Sequence, residues 1–135
     1  SHASPFARIM EKDLVNRLVQ VGIRTLNDHQ KEQVKRFGVE VIEMNNFDSS
    51  LLLQFDGPVY ISIDIDALDP AFAPGISHLE PGGLSTRDVI NIIHQLNGNV
   101  VGGDIVEYNP DRDINGMTAV VGAKLLKELL GKILK

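Results

Sequence analysis

The chain has 135 residues, a net charge of −5, 43% hydrophobic residues and no cysteine. That length suits one domain, residues 1–135, with a real core, and the missing cysteines exclude disulfides and thiolate metal sites. The basic residues are scattered, which excludes a nucleic-acid surface; no apolar run reaches the ~18 residues of a membrane span. No signal or transit peptide is visible. The chain opens on Ser1-His2 rather than methionine, so the sequence is expected to begin inside a longer protein.

Ser4-Pro5 reads as a helix start, with Ser as N-cap and Pro at the first helical position, and the helix is expected to run to about Asn16. Leu18–Ile23 reads as a strand. Asp28 is expected to cap a helix through Phe37, which Gly38 stops in a left-handed turn. Val39–Met44 reads as a second strand. Asn45–Asp56 is mixed, with a short helix expected at Leu51-Leu52-Leu53.

Val59–Asp66 follows, bounded by Gly57-Pro58 and Asp69-Pro70, and reads as a buried strand. Strand side chains alternate faces, so Val59, Ile61, Ile63 and Ile65 share one face and Ser62, Asp64 and Asp66 the other. Two carboxylates about 5 Å apart repel by roughly 3 kcal/mol at an effective dielectric near 20. Nothing basic within the strand pairs them. A divalent cation turns that repulsion into attraction, because hard cations take carboxylate oxygens. The bland alternative places both acids at a solvated strand end.

Ala67–Leu84 is a long loop rich in Gly and Pro, a length that in ordered proteins is usually functional. Ser85 with Asp88 makes a capping box for the next helix. Val89, Ile92, Ile93 and Leu96 give it an apolar stripe, and Asn97-Gly98 is expected to end it. Val100–Val106 is a fourth strand, carrying Asp104 and followed by Glu107. Asn115 to Leu134 reads as the last helix.

Strands alternating with helices predict an α/β fold with a mainly parallel sheet. Ligands of such sheets sit beyond the carboxyl ends of strands, where Asp64, Asp66 and Glu107 all fall. Asp104 lies earlier on its strand and reads as structural. Asp69 before Pro70 reads as a turn former. His29 and His94 read as solvated, and Arg24 as a donor to loop carbonyls at its strand end.

Taken together, Ser62-Ile63-Asp64-Ile65-Asp66-Ala67-Leu68-Asp69-Pro70, Ala73-Pro74-Gly75 and Pro81-Gly82-Gly83-Leu84 resemble the ureohydrolases, the arginase and agmatinase family of binuclear manganese hydrolases. Val106-Glu107-Tyr108-Asn109-Pro110 is similar to the family's acidic strand-end motif, and Ser1–Arg8 to its His-containing motif. Ile76-Ser77-His78-Leu79-Glu80-Pro81 is similar to the plant arginases in particular. The resemblance covers essentially the whole chain, and only the carboxyl-terminal part of the family's fold. The family's upstream metal-ligand motifs, Gly-Gly-Asp-His and Asp-Ala-His-x-Asp, do not occur in this sequence.

The resemblance implies a three-layer α/β/α fold, here incomplete with about four strands. It implies that the first two strands pair, that the last two pair, and that a strand from elsewhere lies between the pairs, leaving a gap here or a different pairing. It implies two Mn²⁺ ions, with Asp64 and Asp66 as ligands, His2 as the proton shuttle, and Glu107 as the partner of the guanidinium. His78 stands where much of the family has a threonine near the substrate, and is assigned to substrate contact with loop hydrogen bonding as the alternative. The implied reaction is hydrolysis of L-arginine to ornithine and urea, or of agmatine to putrescine and urea. Trimers or hexamers and a mitochondrial compartment, with the cytoplasm as alternative, are implied for the complete protein.

Other classes compete. An aspartate-nucleophile phosphatase or a metal-dependent glycosyltransferase also carries Asp-x-Asp after an apolar strand, but Leu68-Asp69-Pro70 argues against the phosphatase. An EF-hand loop needs acids at closer spacing and a mid-loop glycine. The main competitor is a fragment that keeps the fold but lacks catalysis on its own.

Overall fold

The computed structural model describes residues 5–135. The elements are α1 Pro5–Glu11, β1 Val19–Ile23, α2 Asp28–Phe37, β2 Glu40–Glu43, β3 Gln54–Asp64, α3 Thr86–Gln95, β4 Asn97–Val106 and α4 Met117–Ile133. Short 3₁₀ turns stand at Met44–Asn46, Ile65–Ala67 and Pro110–Arg112.

The strands form two parallel pairs, β1 with β2 and β3 with β4. No ladder joins the pairs, so the expected gap is present among the described residues. Two arginines flanking β1 bridge it instead. Arg17 pairs with Glu40 at 2.6 Å and donates to the carbonyl of Gln54 at 2.6 Å, with its guanidinium over the Phe55 ring. Arg24 donates to the carbonyls of Asp66, Ala67 and Leu68, as its sequence position suggested. Gly22 stands at an irregularity of β1 with φ +88°, where a Cβ would come within 2.9 Å of the Leu84 side chain. Only glycine meets both demands cheaply.

The core lies on one side of the second sheet. Val59, Ile63 and Val100 face Val89, Ile90 and Ile93 of α3 and Leu125 and Leu129 of α4. Ile65, Leu68, Ala73, Ile76 and Leu84 extend it under the loop. Each such side chain contributes about 1.5–3 kcal/mol by leaving water. The opposite face of β3 is open: Tyr60 is 61% exposed.

Local sequence accounts for the element ends, with corrections. The first helix stops at Glu11, five residues short of the expected Asn16, because Asp13 turns left-handed at φ +50°. Leu14 N–H then reaches the Ile9 carbonyl at 3.0 Å and Asp13 N–H the Met10 carbonyl at 3.2 Å, a Schellman closure. The α2 cap is Asn27, not Asp28: its side chain accepts from Gln30 N–H while the Gln30 side chain accepts from Asn27 N–H. Gly38 ends α2 at φ +62°, as expected. Ser85 and Asp88 form the expected capping box. Leu51–Leu53 is not helical, and β3 begins at Gln54, before the Gly57-Pro58 break. Asn97-Gly98 opens β4 rather than forming a turn after α3.

Candidate functional site

The acids gather where β3 and β4 end, beside the Ala67–Leu84 loop. The strand stops at Asp64, and Ile65–Ala67 is a 3₁₀ turn, so the expected alternation fails one residue early. Asp66 stays beside Asp64 for a different reason. The Asp64 side chain accepts the Asp66 backbone N–H at 2.8 Å, closing the turn on itself. Ile65 points the other way into the core and is buried.

The loop is held in place by its own polar residues. Asp69 accepts from the N–H groups of Ala71 at 2.9 Å, Gly82 at 2.7 Å and Gly83 at 3.2 Å. Those bonds, with Ala71 the largest contributor, hold its carboxyl below the usual range. Gly75 donates to the buried Thr118 hydroxyl at 2.7 Å, and its carbonyl accepts from Asn109 N–H at 2.8 Å. The Asn109 side chain donates to the Ser77 hydroxyl at 3.0 Å. The segments carrying His78 and Glu107 are thus stitched together next to both residues. Glu107 itself takes a left-handed backbone, φ +67°. For a residue with a Cβ this stores strain that the surrounding bonds must offset.

Asp66, His78 and Glu107 bring one ligand atom each to within 4.8 Å of one another. Within the group, His78 Nδ1 and Asp66 Oδ2 stand 3.5 Å apart, with His78 73% and Asp66 18% exposed at the side chain. Asp66 Oδ1 is buried and accepts no hydrogen bond. Such an orphan acceptor is costly unless something cationic meets it. Asp64 does not belong to the group of three; its carboxylate faces the turn.

The electrostatics match that crowding. Burial first, then the charges of Asp66 and Glu107, push the Asp64 carboxyl up to about 6, although the residue as a whole is exposed. Burial and then Glu107 raise Asp66, with His78 and Arg24 pulling back. Among the described residues none of the three acids has a lysine or arginine ion pair of its own. Arg24 spends its donors on carbonyls.

Other residues singled out in the sequence fall elsewhere. His2 lies outside the described residues. Asp104 is structural: it accepts from the Ser62 hydroxyl at 2.6 Å and the Tyr60 hydroxyl at 3.0 Å across the β3–β4 ladder. His94 is not simply solvated; its Nε2 meets Glu128 Oε2 at 2.6 Å between α3 and α4. His29 is exposed. Sequence reasoning missed Thr118, Ser77, Asn109 and Asp113. Asp113 accepts from the N–H groups of Ile114, Thr118 and Ala119 at the start of α4. Against the burial that raises it, those bonds bring its carboxyl down to about 2. An Asp standing just before a helical run was the available signal for that role.

Comparisons with known proteins place the chain in a family. The family model described as "Arginase family" matches residues 1–131. "Arginase 1, mitochondrial" of Arabidopsis thaliana is 59% identical over 100% of this chain, which covers 42% of that protein. The solved arginase from Medicago truncatula is 54% identical, with a TM-score of 0.94 over 98% of this chain and 45% of its own. A triple mutant of a T. brucei arginase-like protein, bound with Mn²⁺, is 32% identical with a TM-score of 0.89, over 97% of this chain and 48% of its own. The chain thus spans less than half the length of the relatives it matches. With the family model covering all but its last four residues, and plant arginases matching it from end to end, the chain belongs to the arginase family.

Proposed function

We propose that these residues form the carboxylate side of a ureohydrolase site that hydrolyses L-arginine to ornithine and urea. The observation that carries the reading is the buried, unpartnered Asp66 Oδ1 beside two further acids with no basic partner. That donor set suits divalent cations, and an ion meeting that oxygen would offset its desolvation. Asp64 and Asp66 would hold the metal, and two Mn²⁺ ions are the complement we propose for the complete protein. Bound there, such ions act as Lewis acids and make water a nucleophile near neutral pH.

The chain's own residues do the rest. Glu107 offers a planar two-oxygen partner to the substrate guanidinium and fixes its carbon at the mouth of the site. Water adds to that carbon, the bond to the side-chain nitrogen breaks, and the departing amine takes a proton. We assign that proton delivery to His2, whose imidazole titrates in the useful range. His78 borders the same opening. Arginine is favoured over agmatine because the plant-arginase match extends over the whole chain.

Since the remaining ligands of the family lie in motifs this sequence lacks, we propose that the 135-residue chain alone is inactive. We further propose a mitochondrial compartment, after the Arabidopsis relative's name, and a homo-oligomer, trimer or hexamer, for the complete protein. The test is urea release with Mn²⁺ from arginine and from agmatine. It compares this chain with a longer protein carrying the same residues and the upstream motifs. Urea from the longer protein with arginine, and none from this chain, is expected. Unchanged Mn²⁺ stoichiometry after Asp66→Asn in the longer protein would remove the ligand assignment.

A further inference from the structure

We propose that Asn115 is a modification site: its side-chain amide is lost to attack by the Gly116 nitrogen, and the isoaspartate that results frees the Ala73-Pro74-Gly75 turn from α4. The proposal is independent of the metal and substrate chemistry above.

The chain carries Asn-Gly twice, at Asn97-Gly98 and at Asn115-Gly116. In both, glycine has no Cβ to shield its backbone nitrogen from the neighbouring side-chain carbonyl. The settings differ. Asn97 lies in β4 opposite Gln54, and its N–H donates to the Leu53 carbonyl at 2.7 Å. A Cβ on Gly98 would meet Val59 Cγ2 at 3.1 Å and Phe55 Cβ at 3.3 Å, so that pair is packed against β3. The ladder has to open before the Gly98 nitrogen can swing onto the side chain.

Asn115-Gly116 has no such restraint. Asn115 is exposed, and both residues are left-handed, at φ +51° and +71°. Asparagine tolerates that region and glycine takes it freely, so this dipeptide makes the turn into α4. A Cβ on Gly116 would meet nothing within 4 Å. Among the described residues, neither the Asn115 side chain nor the Gly116 N–H makes a hydrogen bond. The surrounding bonds run past them, from Met117 N–H to the Ile114 carbonyl at 3.0 Å and from Ile114 and Thr118 N–H to Asp113 at 2.8 and 2.9 Å. Nucleophile and amide are therefore free to meet, and water reaches both.

The Gly116 nitrogen bonds to Asn115 Cγ and gives up its proton. The bond from Cγ to the side-chain nitrogen breaks, and ammonia leaves with that proton. Water then opens the succinimide ring; nothing is oxidised or reduced. Opening at Cγ leaves an aspartate, which the start of a helix accepts. Opening at the main-chain carbonyl leaves isoaspartate, which routes the backbone through the side chain and lengthens it by a methylene. That extra length falls between Asp113 and Thr118. Asp113 holds the Thr118 N–H, and the Thr118 hydroxyl holds the Gly75 N–H at 2.7 Å. The seat is tight, since a Cβ on Gly75 would meet Asp113 Cβ and Thr118 Cβ at 2.9 Å each. Moving Asp113 relative to Thr118 breaks it.

The experiment ages the purified 135-residue chain at mildly alkaline pH. So that the result does not hang on this chain folding alone, it also ages the longer protein, folded and in denaturant. Trypsin cleavage after Arg112 and Lys124 leaves Asn115 as the sole asparagine of its peptide. In the folded protein that peptide should gain the amide-to-acid mass shift and an isoaspartate signal at least about tenfold faster than Asn97 does, because the ladder must open first at Asn97. In denaturant the two pairs should convert alike. Exchange of the Gly75 amide should quicken in the converted protein. Asn115→Gly keeps the left-handed turn and has no amide to lose, so its Gly75 amide should stay slow after the same ageing. Conversion at Asn97 as fast as at Asn115 in the folded longer protein, or none at Asn115, would overturn the site. A converted protein whose Gly75 amide exchanges no faster than before would overturn the link to the turn.

Discussion

The hydroxyl of Thr118, fully buried at the start of α4, accepts the backbone N–H of Gly75 at 2.7 Å. This single bond ties the Ala73-Pro74-Gly75 turn to the last helix. With the Asp69 and Asn109 bonds it helps hold the loop that bears His78.

Thr118→Val keeps the shape and deletes the acceptor, leaving a buried N–H unpaired. A loss of about 1–3 kcal/mol is expected. Thr118→Ser should recover most of it. Urea unfolding midpoints at one pH check both.

Arg24→Ala removes the donors that hold the carbonyls of Asp66, Ala67 and Leu68. About 2 kcal/mol of stability should go, within the range for hydrogen bonds to charged groups. Lysine at this position should restore only part, because it lacks the planar fork that spans several carbonyls. Denaturant unfolding of the two variants separates the outcomes.

Asp64 gives stability a slope near neutrality. Its carboxyl is raised from the usual 3.8 to about 6, so the folded chain holds that proton more tightly than the unfolded chain. Its contribution is therefore complete below the unfolded value and is lost as pH rises through about 6. Metal-free chain carrying Asp64→Asn should be more stable than the unmodified chain at pH 7. Its unfolding midpoint should also fall less between about pH 4 and 7. Equal slopes would show that the carboxyl is not shifted.

Glu128 acts on the acid side with the opposite sign. The ion pairs with Lys124, and then with His94, bring it down from 4.5 to about 2. That stabilisation is present above the unfolded value and lost as pH falls through the folded one. Glu128→Gln should flatten the acid limb of the stability curve. Thermal melts across the acid range measure it.

Glu107→Gln should leave the fold at least as stable without metal. It removes a negative charge that raises both Asp64 and Asp66, and the left-handed backbone is unaltered. On the proposed pairing with the guanidinium, arginine turnover in the longer protein should collapse. Melting temperature and urea release, read together, test this separation.

Much of this was legible in the sequence because composition and period both spoke. The β-branched run at Val59–Ile63, the Ser85–Asp88 box and the apolar stripe of α3 all report local physics, and all hold. The acids' location was legible too, since Asp64, Asp66 and Glu107 stand at strand ends. What failed was the reason for the first pair: alternation predicts Asp66 on the strand, whereas a side-chain bond from Asp64 bends the chain into a 3₁₀ turn. Asn97-Gly98 reads as a turn because nothing local reveals that Asn97 pairs opposite Gln54. The Thr118–Gly75 and Asn109–Ser77 bonds join residues more than thirty positions apart, and no short window contains them. His94 reads as solvated until α4 brings Glu128 alongside.

The break between the two strand pairs makes the chain unequal along its length. None of the β1 or β2 side chains joins the buried cluster among the described residues, and the attachment rests on two arginine side chains at either end of β1 and on Met44 and Phe47 packed against the core after β2. Amide protons of the leading third should therefore exchange with solvent through openings that leave β3, β4 and α4 protected. The acids ride on the slow-exchanging portion, so a cation held there would keep its seat while the front of the molecule opens and recloses.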